Sequence, residues 1–249
     1  MKYLNIYLCV FLLSFSGLTF SKETVHLAIG EWGPFTSEND RLGKMAESLV
    51  RRALRASSFK VKYHYTGWDQ AYTDAKKGIR EATFPWQKTP DRLKDFYAGE
   101  EALVVSKEVF FHRRGEKFNW KKIEDLSRYR IGGIEAYSHL KVFEENGLNV
   151  LVEKSPEIQF ENLMSGKIDA FPENLYVGHY TIKKTFPRVK RNTFEAYDQT
   201  TLQEAPMYVL VSKNSPRAKE LVDAIDEGIR YLKNTGKYEE ILAFYLSNQ

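Results

Sequence analysis

The most informative segment of the chain is Ala82–Glu100, which reads ATFPWQKTPDRLKDFYAGE. It begins as a strand-like run, is broken by two prolines, and then places Arg92 three residues after Thr89. A planar guanidinium on a turn offers two N–H donors that match the two oxygens of a carboxylate. Arg92 is therefore a candidate for binding a small acidic molecule. The alternative is a surface arginine that caps a helix or pairs with Asp91 or Asp95.

The N-terminus has the features of a secretory signal peptide. Lys2 is followed by an almost wholly apolar run over residues 4–15 and by the small-residue site Thr19–Ser21. We predict that residues 1–21 are removed after export. The chain's single cysteine, Cys9, lies inside this segment and is followed by bulky residues, which disfavours a lipid anchor. The mature chain would then contain no disulfide and no thiolate.

Charge and motif content exclude several function classes. The 37 basic and 33 acidic side chains leave a net charge of +4 and are interspersed along the chain, so we expect no nucleic-acid binding. The five histidines show no metal-ligand spacing, and no nucleophile or phosphate-loop motif is present. We predict neither a metal nor a cofactor.

Strand-like and helix-like segments alternate along the whole mature chain, which is typical of an α/β fold. The predicted strands cover residues 24–29, 60–65, 82–84, 101–112, 130–134, 149–152, 168–171 and 207–212. The predicted helices cover about residues 45–54, 68–77, 156–165, 175–186, 216–232 and 238–246.

Six short motifs occur in a consistent order on these segments. They are Trp32-Gly33-Pro34-Phe35, Gly43, Trp68-Asp69, Thr89-Pro90-Asp91-Arg92 with Phe96, Glu124-Asp125-Leu126 before Arg130-Ile131-Gly132, and Gly166-Lys167-Ile168-Asp169-Ala170. On these residues the chain resembles the family 3 extracellular solute-binding proteins, the periplasmic amino-acid-binding type, over nearly its whole mature length. The resemblance implies a two-lobed periplasmic-binding-protein fold of type II. Each lobe would be a mixed sheet flanked by helices, and two hinge strands would join the lobes.

The resemblance also implies a domain organisation and a cellular role. Residues 22–104 and 208–249 would form lobe 1, and residues 105–207 would form lobe 2, with hinges near Val104–Val105 and Pro206–Met207. The protein would be a periplasmic monomer that passes a small carboxylate-bearing solute to an inner-membrane ABC permease.

Three tryptophans and a phenylalanine follow the predicted strands of lobe 1. Trp32 and Phe35 come after the first strand, Trp68 after the second, and Trp86 after the third. Ligands of open α/β sheets lie beyond the carboxyl ends of the strands, so these rings could wall a pocket. The alternative is that each tryptophan packs in the core or at the interface between the lobes. By resemblance, Trp32 and Trp68 would sandwich the ligand.

The resemblance assigns an anion site to each lobe. Arg92 would hold the ligand's α-carboxylate, together with Gln87 and Thr89. In lobe 2, the segment that contains Tyr137 and Ser138 would open a helix whose free N–H groups face the cleft. Ser138 would take the family's hydroxyl position there. The alternative is an ordinary helix N-cap, which is compatible with that role.

Two departures from the family pattern concern the ligand's amine. The small hydroxyl residues expected before the arginine are Phe84 and Pro85 here, and the aspartate that pairs with the amine is replaced by Asn174. Either Glu173 supplies the missing charge or the ligand lacks an α-amine. Glu173 could also be a solvated residue at the rim of the cleft.

Two other functions fit the same fold. A dehydratase could use Glu173, beside Tyr176, as a proton donor if burial raised its pKa. A sensor subunit would use the same cleft and deliver its signal to a membrane receptor instead of a permease. We expect a binding protein rather than an enzyme.

Overall fold

The computed structural model describes residues 23–57, 59–135 and 137–247, so the predicted signal peptide lies outside the described residues. The strands are β1 (Thr24–Ile29), β2 (Lys60–Tyr65), β3 (Ala82–Trp86), β4 (Phe96–Tyr97), β5 (Val104–Arg113), β6 (Ile131–Ile134), β7 (Val150–Glu153), β8 (Ala170–Asn174), β9 (Phe194–Tyr197) and β10 (Gln203–Ser212). The helices are α1 (Met45–Ala56), α2 (Trp68–Lys76), α3 (Arg92–Asp95), α4 (His139–Glu145), α5 (Pro156–Met164), α6 (Leu175–Thr185), α7 (Arg188–Arg191), α8 (Ala218–Asn234) and α9 (Lys237–Ser247).

The strands form two mixed groups that meet at β5 and β10. The order along the hydrogen-bonded path is β2-β1-β3-β10-β5-β8-β6-β7, with β4 beside β10 and β9 beside β5. Within each group, parallel pairs such as β1–β2 and β6–β7 are combined with antiparallel pairs that involve β10 or β5. This is the α/β architecture expected from the sequence.

The two segments predicted for the hinge pair with each other. Strands β5 and β10 are antiparallel, and their register places Val104 opposite Met207 and Val105 opposite Pro206. The chain therefore crosses between the two groups twice, side by side. The lobe boundaries at 104/105 and 207/208 remain a prediction.

The core of the first group lies between its strands and the helices α1, α8 and α9. Met45, Leu49 and Ala53 on α1 are fully buried at helical spacing. Helix α8 crosses α1 at Gly228, where a Cβ atom would lie 2.4 Å from the carbonyl oxygen of Ala53. Glycine at this position therefore permits the close approach of the two helices.

The second group has a core that is rich in phenylalanine. Phe111, Phe160 and Phe171 are fully buried, with ring centroids of Phe160 and Phe171 4.8 Å apart. Helix α6 contacts both cores, because Ile182 belongs to this cluster whereas Val177 belongs to the cluster of the first group. The helix that follows β8 therefore bridges the two halves of the molecule.

Among the described residues, no helix combines the length and the apolar character needed to cross a membrane.

Candidate ligand-binding cleft

A cavity of about 680 Å³ lies where the two groups of strands meet. Its lining comes from both groups and from the crossing strands β5 and β10. The lining residues are Trp32, Trp68, Asp69, Pro85, Trp86, Gln87, Arg92, Ser106, Glu108, Tyr137, Ser138, Glu173, Asn174, Gln203, Ala205 and Met207. Its size suits a small solute. Across the described part of the chain, no three His, Cys, Asp or Glu side chains are grouped so that they could hold a metal ion.

Three indole rings form the wall on the side of the first group. Trp68 lies against Gly30, where a Cβ atom would come within 2.5 Å of the ring, and its Nε1 donates to the carbonyl of Glu31 at 3.2 Å. Trp86 meets Trp68 edge to face at 5.3 Å between ring centroids. Trp32 follows β1 and is half-buried. The structure thus brings together the three tryptophans that the sequence placed at separate strand ends.

Arg92 lines the cleft at the start of the short helix α3. Its Nη1 donates to the carbonyl oxygen of Gln87 at 2.9 Å, and its guanidinium lies 4.7 Å from the ring centroid of Trp86. Arg92 forms no ion pair with any described carboxylate. Asp91 pairs with Lys94 at 2.7 Å, and Asp95 pairs with Lys76 at 2.8 Å. The surface alternative, in which Arg92 pairs with one of these aspartates, is therefore wrong.

Two of the residues predicted to bind the ligand lie outside the lining. Phe35 is fully buried behind Trp32, with the two ring centroids 4.4 Å apart, so it supports the wall from within the core. The Thr89 hydroxyl accepts the backbone N–H of Arg92 at 3.3 Å, which helps to fix the turn that presents the arginine. Both residues position their neighbours and do not face the cavity.

The lobe 2 side of the cleft contains Tyr137 and Ser138, just before α4. The Ser138 hydroxyl makes no capping hydrogen bond to α4 and donates instead to Oε1 of Gln203 at 3.2 Å. The alternative of an ordinary N-cap for Ser138 is therefore wrong. Helix α4 has only seven residues, so the predicted anion cradle at its N-terminus has little helix dipole behind it. Burial, with the nearby Glu173, raises the pKa of the Tyr137 hydroxyl.

Glu173 and Asn174 end β8 at the floor of the cleft. Glu173 is 1% exposed, so it is not the solvated rim residue considered above. Its Oε1 accepts the backbone N–H of Asn174 at 2.7 Å, whereas Oε2 has no hydrogen-bond partner among the described residues. Burial raises the pKa of Glu173 to about 8, and the negative charges of Glu108 and Glu157 add to the effect. Near neutral pH, Glu173 is therefore largely protonated.

Seven lining residues were not predicted to bind a ligand, and several come from the crossing strands. They are Asp69, Pro85, Ser106, Glu108, Gln203, Ala205 and Met207. Ser106 and Glu108 are two residues apart in a run that was predicted to be extended, so they share one face of the strand. This two-residue spacing could have identified Ser106 and Glu108 as a pair, but it did not show which face of the strand lines the cleft.

The charges of the lining are distributed unevenly. Arg92 is the only lysine or arginine among the described lining residues, and it lies on the first group's wall. Three carboxyl groups line the same cavity, those of Asp69, Glu108 and Glu173. The cleft therefore offers one cationic position and several acidic ones to a small molecule.

Comparison with solved structures shows which fold this arrangement represents. The probable amino-acid ABC transporter extracellular-binding protein ytmK from Bacillus subtilis superposes with a TM-score of 0.74 at 16% identity, over 90% of this chain and 97% of that one. A histidine kinase sensor domain with similarity to periplasmic binding proteins gives a TM-score of 0.64 at 17% identity, over 91% and 97% of the two chains. The ancestral amino-acid-binding protein AncCDT-1, a precursor of cyclohexadienyl dehydratase, gives a TM-score of 0.60 at 16% identity, over 90% of this chain and 95% of that one.

The chain has the two-lobed periplasmic-binding-protein fold. The expectation of a type II fold is therefore confirmed. No protein-family model matches the sequence, and no curated protein matches it significantly. At identities of 16–17% the periplasmic-binding-protein fold is what these superpositions establish.

Proposed function

We propose that the protein is a periplasmic solute receptor of the family 3 type. Its two lobes would close around a small carboxylate-bearing solute, an amino acid or a related compound, and deliver it to an inner-membrane ABC permease. The fold supports a binding protein, since the similar solved structures include an amino-acid ABC transporter binding protein and a sensor domain.

The observation that carries this proposal is the unpaired guanidinium of Arg92 in the cleft. Arg92 is held by Gln87 and by the Trp86 ring, yet no carboxylate of the described chain neutralises it. A half-buried arginine without a counter-ion is costly unless a ligand anion completes the pair. A carboxylate between Arg92 and the tryptophans would supply that anion and place the rest of the solute against the indole rings.

Binding would shift an equilibrium between open and closed forms. Trp32, Trp68 and Arg92 belong to lobe 1 in the predicted division, whereas Tyr137 and Ser138 belong to lobe 2. Only the closed form offers both sets of contacts, so a solute that uses both sets favours closure. The closed form is the state that a permease would recognise.

The test is a thermal-shift screen of amino acids, keto acids and small peptides, followed by calorimetry on the compounds that raise the melting temperature. We expect Arg92→Ala to weaken binding on the order of 100-fold, since it removes one partner of a charged pair. Lys94→Ala is the matched control, because Lys94 lies on the same short helix but pairs with Asp91 outside the lining. Unchanged affinity in Arg92→Ala would contradict the proposal.

The buried acid Glu173 favours a second candidate, a dehydratase on the same fold. A carboxyl group that stays protonated near neutral pH inside a cleft could donate a proton to a carboxylated cyclic substrate. Incubation with prephenate or arogenate, with phenylpyruvate or phenylalanine as the measured product, distinguishes the two candidates. Product formation that is lost in Glu173→Gln would favour the enzyme over the receptor.

A further inference from the structure

Three polar side chains lie side by side across the floor of the cleft. The register of β10, β5 and β8 places Gln203 opposite Glu108 and Glu108 opposite Asn174. Residues directly opposite one another in antiparallel strands point to the same face of the sheet, and all three line the cavity. A solute that reaches the floor therefore meets this row.

Asn174 has no acceptor left for a ligand. Its Oδ1 accepts the backbone N–H groups of Tyr176 at 2.9 Å and Val177 at 3.2 Å, which caps helix α6. Its Nδ2 donates to the Ser106 hydroxyl at 2.9 Å. An amide oxygen has two lone pairs, and both are used here. Asn174 can therefore offer a ligand only an N–H donor, which does not bind a cation.

Glu173 is not suited to binding a cation either. Glu173 is 1% exposed and largely protonated near neutral pH, so it presents little negative charge to the cavity. Ionising it inside the floor would leave a buried charge beside the negative Glu108.

Glu108 differs from both of these neighbours. Its side chain is 13% exposed, and it forms no ion pair with any described lysine or arginine. Oε1 accepts a hydrogen bond of 2.9 Å from Nδ1 of His139. The backbone N–H of Ile134 donates to the other ring nitrogen, Nε2, at 3.2 Å, so the ring proton is on Nδ1 and the imidazole is neutral. His139 thus orients the Glu108 carboxylate without cancelling its charge.

We propose that Glu108, oriented by His139, binds a positively charged nitrogen of the solute, in place of the aspartate that Asn174 replaces. This inference rests on the proposed function, because it uses the same cleft and leaves the carboxylate to Arg92. It assigns the solute to the class of carboxylates that also carry an ammonium or guanidinium group. Keto acids and other solutes that carry only negative charge are excluded.

The test compares the twenty L-amino acids with the corresponding 2-keto acids, by thermal shift and then by calorimetry on the purified protein. We expect at least one amino acid to bind and its keto acid to bind at least about tenfold more weakly. We expect Glu108→Gln, which removes the charge but keeps the shape, to weaken binding of that amino acid at least about tenfold. Glu161→Gln is the matched control, because it removes an exposed carboxylate of the same predicted lobe that does not line the cavity.

His139 is a positioning residue, and two variants test that role. His139→Leu removes the donor to Glu108, whereas His139→Asn keeps an N–H near the position of Nδ1. We expect affinity for the amino acid to fall about tenfold in the leucine variant and to recover most of that loss in the asparagine variant. Circular dichroism and melting temperature confirm that each variant is folded. Equal affinity in both variants would overturn the role of His139.

The possible failures are distinguishable. Equal binding of an amino acid and its keto acid, or wild-type affinity in Glu108→Gln, overturns the assignment of Glu108. The proposed function survives either result as long as Arg92→Ala loses binding. If no amino acid, keto acid or small peptide binds, the proposed function fails together with this inference.

Discussion

The Tyr180 hydroxyl donates a hydrogen bond of 2.6 Å to Oδ2 of Asp40, and this bond joins helix α6 to the loop that follows β1. The Tyr180 ring also lies on Gly33, where a Cβ atom would come within 2.4 Å of the ring. The hydrogen bond from Tyr180 lowers the pKa of the Asp40 carboxyl group. In the predicted division of the chain, these contacts connect lobe 2 to lobe 1 beside the cleft.

Removing this hydrogen bond should weaken ligand binding without unfolding the protein. We expect Tyr180→Phe to lower affinity about two- to tenfold, because a net hydrogen bond contributes about 0.5–1.5 kcal/mol and here it would favour the closed form. Calorimetry measures the affinity, and small-angle scattering should show a larger radius of gyration without ligand. Tyr97→Phe, at an exposed tyrosine, is the control. An unchanged affinity and radius would show that this contact does not depend on closure.

Replacing Asn174 should destabilise the protein through helix α6. Asn174→Ala removes the cap that satisfies two backbone N–H groups, which typically costs about 0.5–2 kcal/mol. Asn174→Asp keeps the accepting oxygen and adds a negative charge at the helix N-terminus, so it should retain most of the stability. Urea unfolding measures the free energy of unfolding of each variant. An equal loss of unfolding free energy in both variants would contradict a capping role for the Asn174 side chain.

The pH dependence of stability should report the burial of Glu173. The unfolded chain loses this proton near pH 4.5, whereas the folded protein keeps it to about pH 8. Between these values the folded state binds more protons, so its stability falls as pH rises, by up to roughly 1.4 kcal/mol per pH unit from this group. Above about pH 8 the contribution is constant.

Glu173→Gln removes this titration and isolates its effect. We expect the variant to gain stability relative to the wild type between pH 5 and pH 8, measured by urea unfolding at both pH values. Glu161→Gln, at an exposed carboxylate of helix α5 that is not among the groups raising the pKa of Glu173, should follow the wild-type curve. If the free energies of unfolding of the wild type and Glu173→Gln differ by the same amount at pH 5 and at pH 8, the raised pKa of Glu173 is contradicted.

Helix α6 should tolerate no side chain at Gly178. A Cβ atom there would lie 2.2 Å from Cζ of Phe111, which is fully buried. We expect Gly178→Ala to cost about 1–3 kcal/mol of stability, and Phe111→Leu to recover part of that loss in the double variant. Gly67→Ala is the control, because nothing lies within 4 Å of its position. Matching urea midpoints for the Gly178 and Gly67 variants would contradict the close contact.

Much of the fold could be predicted because its elements have strong periodic patterns. Strands β1 and β2 and helix α8 lie within a few residues of their predicted bounds, since each has a clear apolar pattern between turn residues. Strand β9 was missed, because its four residues Phe194–Tyr197 are too short to show alternation. Strand β8 ends at Asn174 rather than at residue 171, since pairing with β5 extends it.

The site could be predicted in part. The aromatic residues and Arg92 were found because they follow strand ends and belong to short motifs. Glu108 and Gln203 were not found, because their proximity depends on the register between two strands that are about 95 residues apart in sequence. The saturated hydrogen bonding of Asn174 is likewise a tertiary property that no local pattern indicates.

The pairing of β5 with β10 limits how the two halves of the molecule can move. Five consecutive residue pairs hold the strands together, from Gln203–Glu108 to Met207–Val104. Such a ribbon can flex and twist as a unit, but one strand cannot slide along the other without breaking the pairing. Glu108 and Gln203 would therefore keep their spacing if the two groups of strands moved apart. The mouth of the cleft could then widen or narrow, while the polar side chains at its floor keep their arrangement.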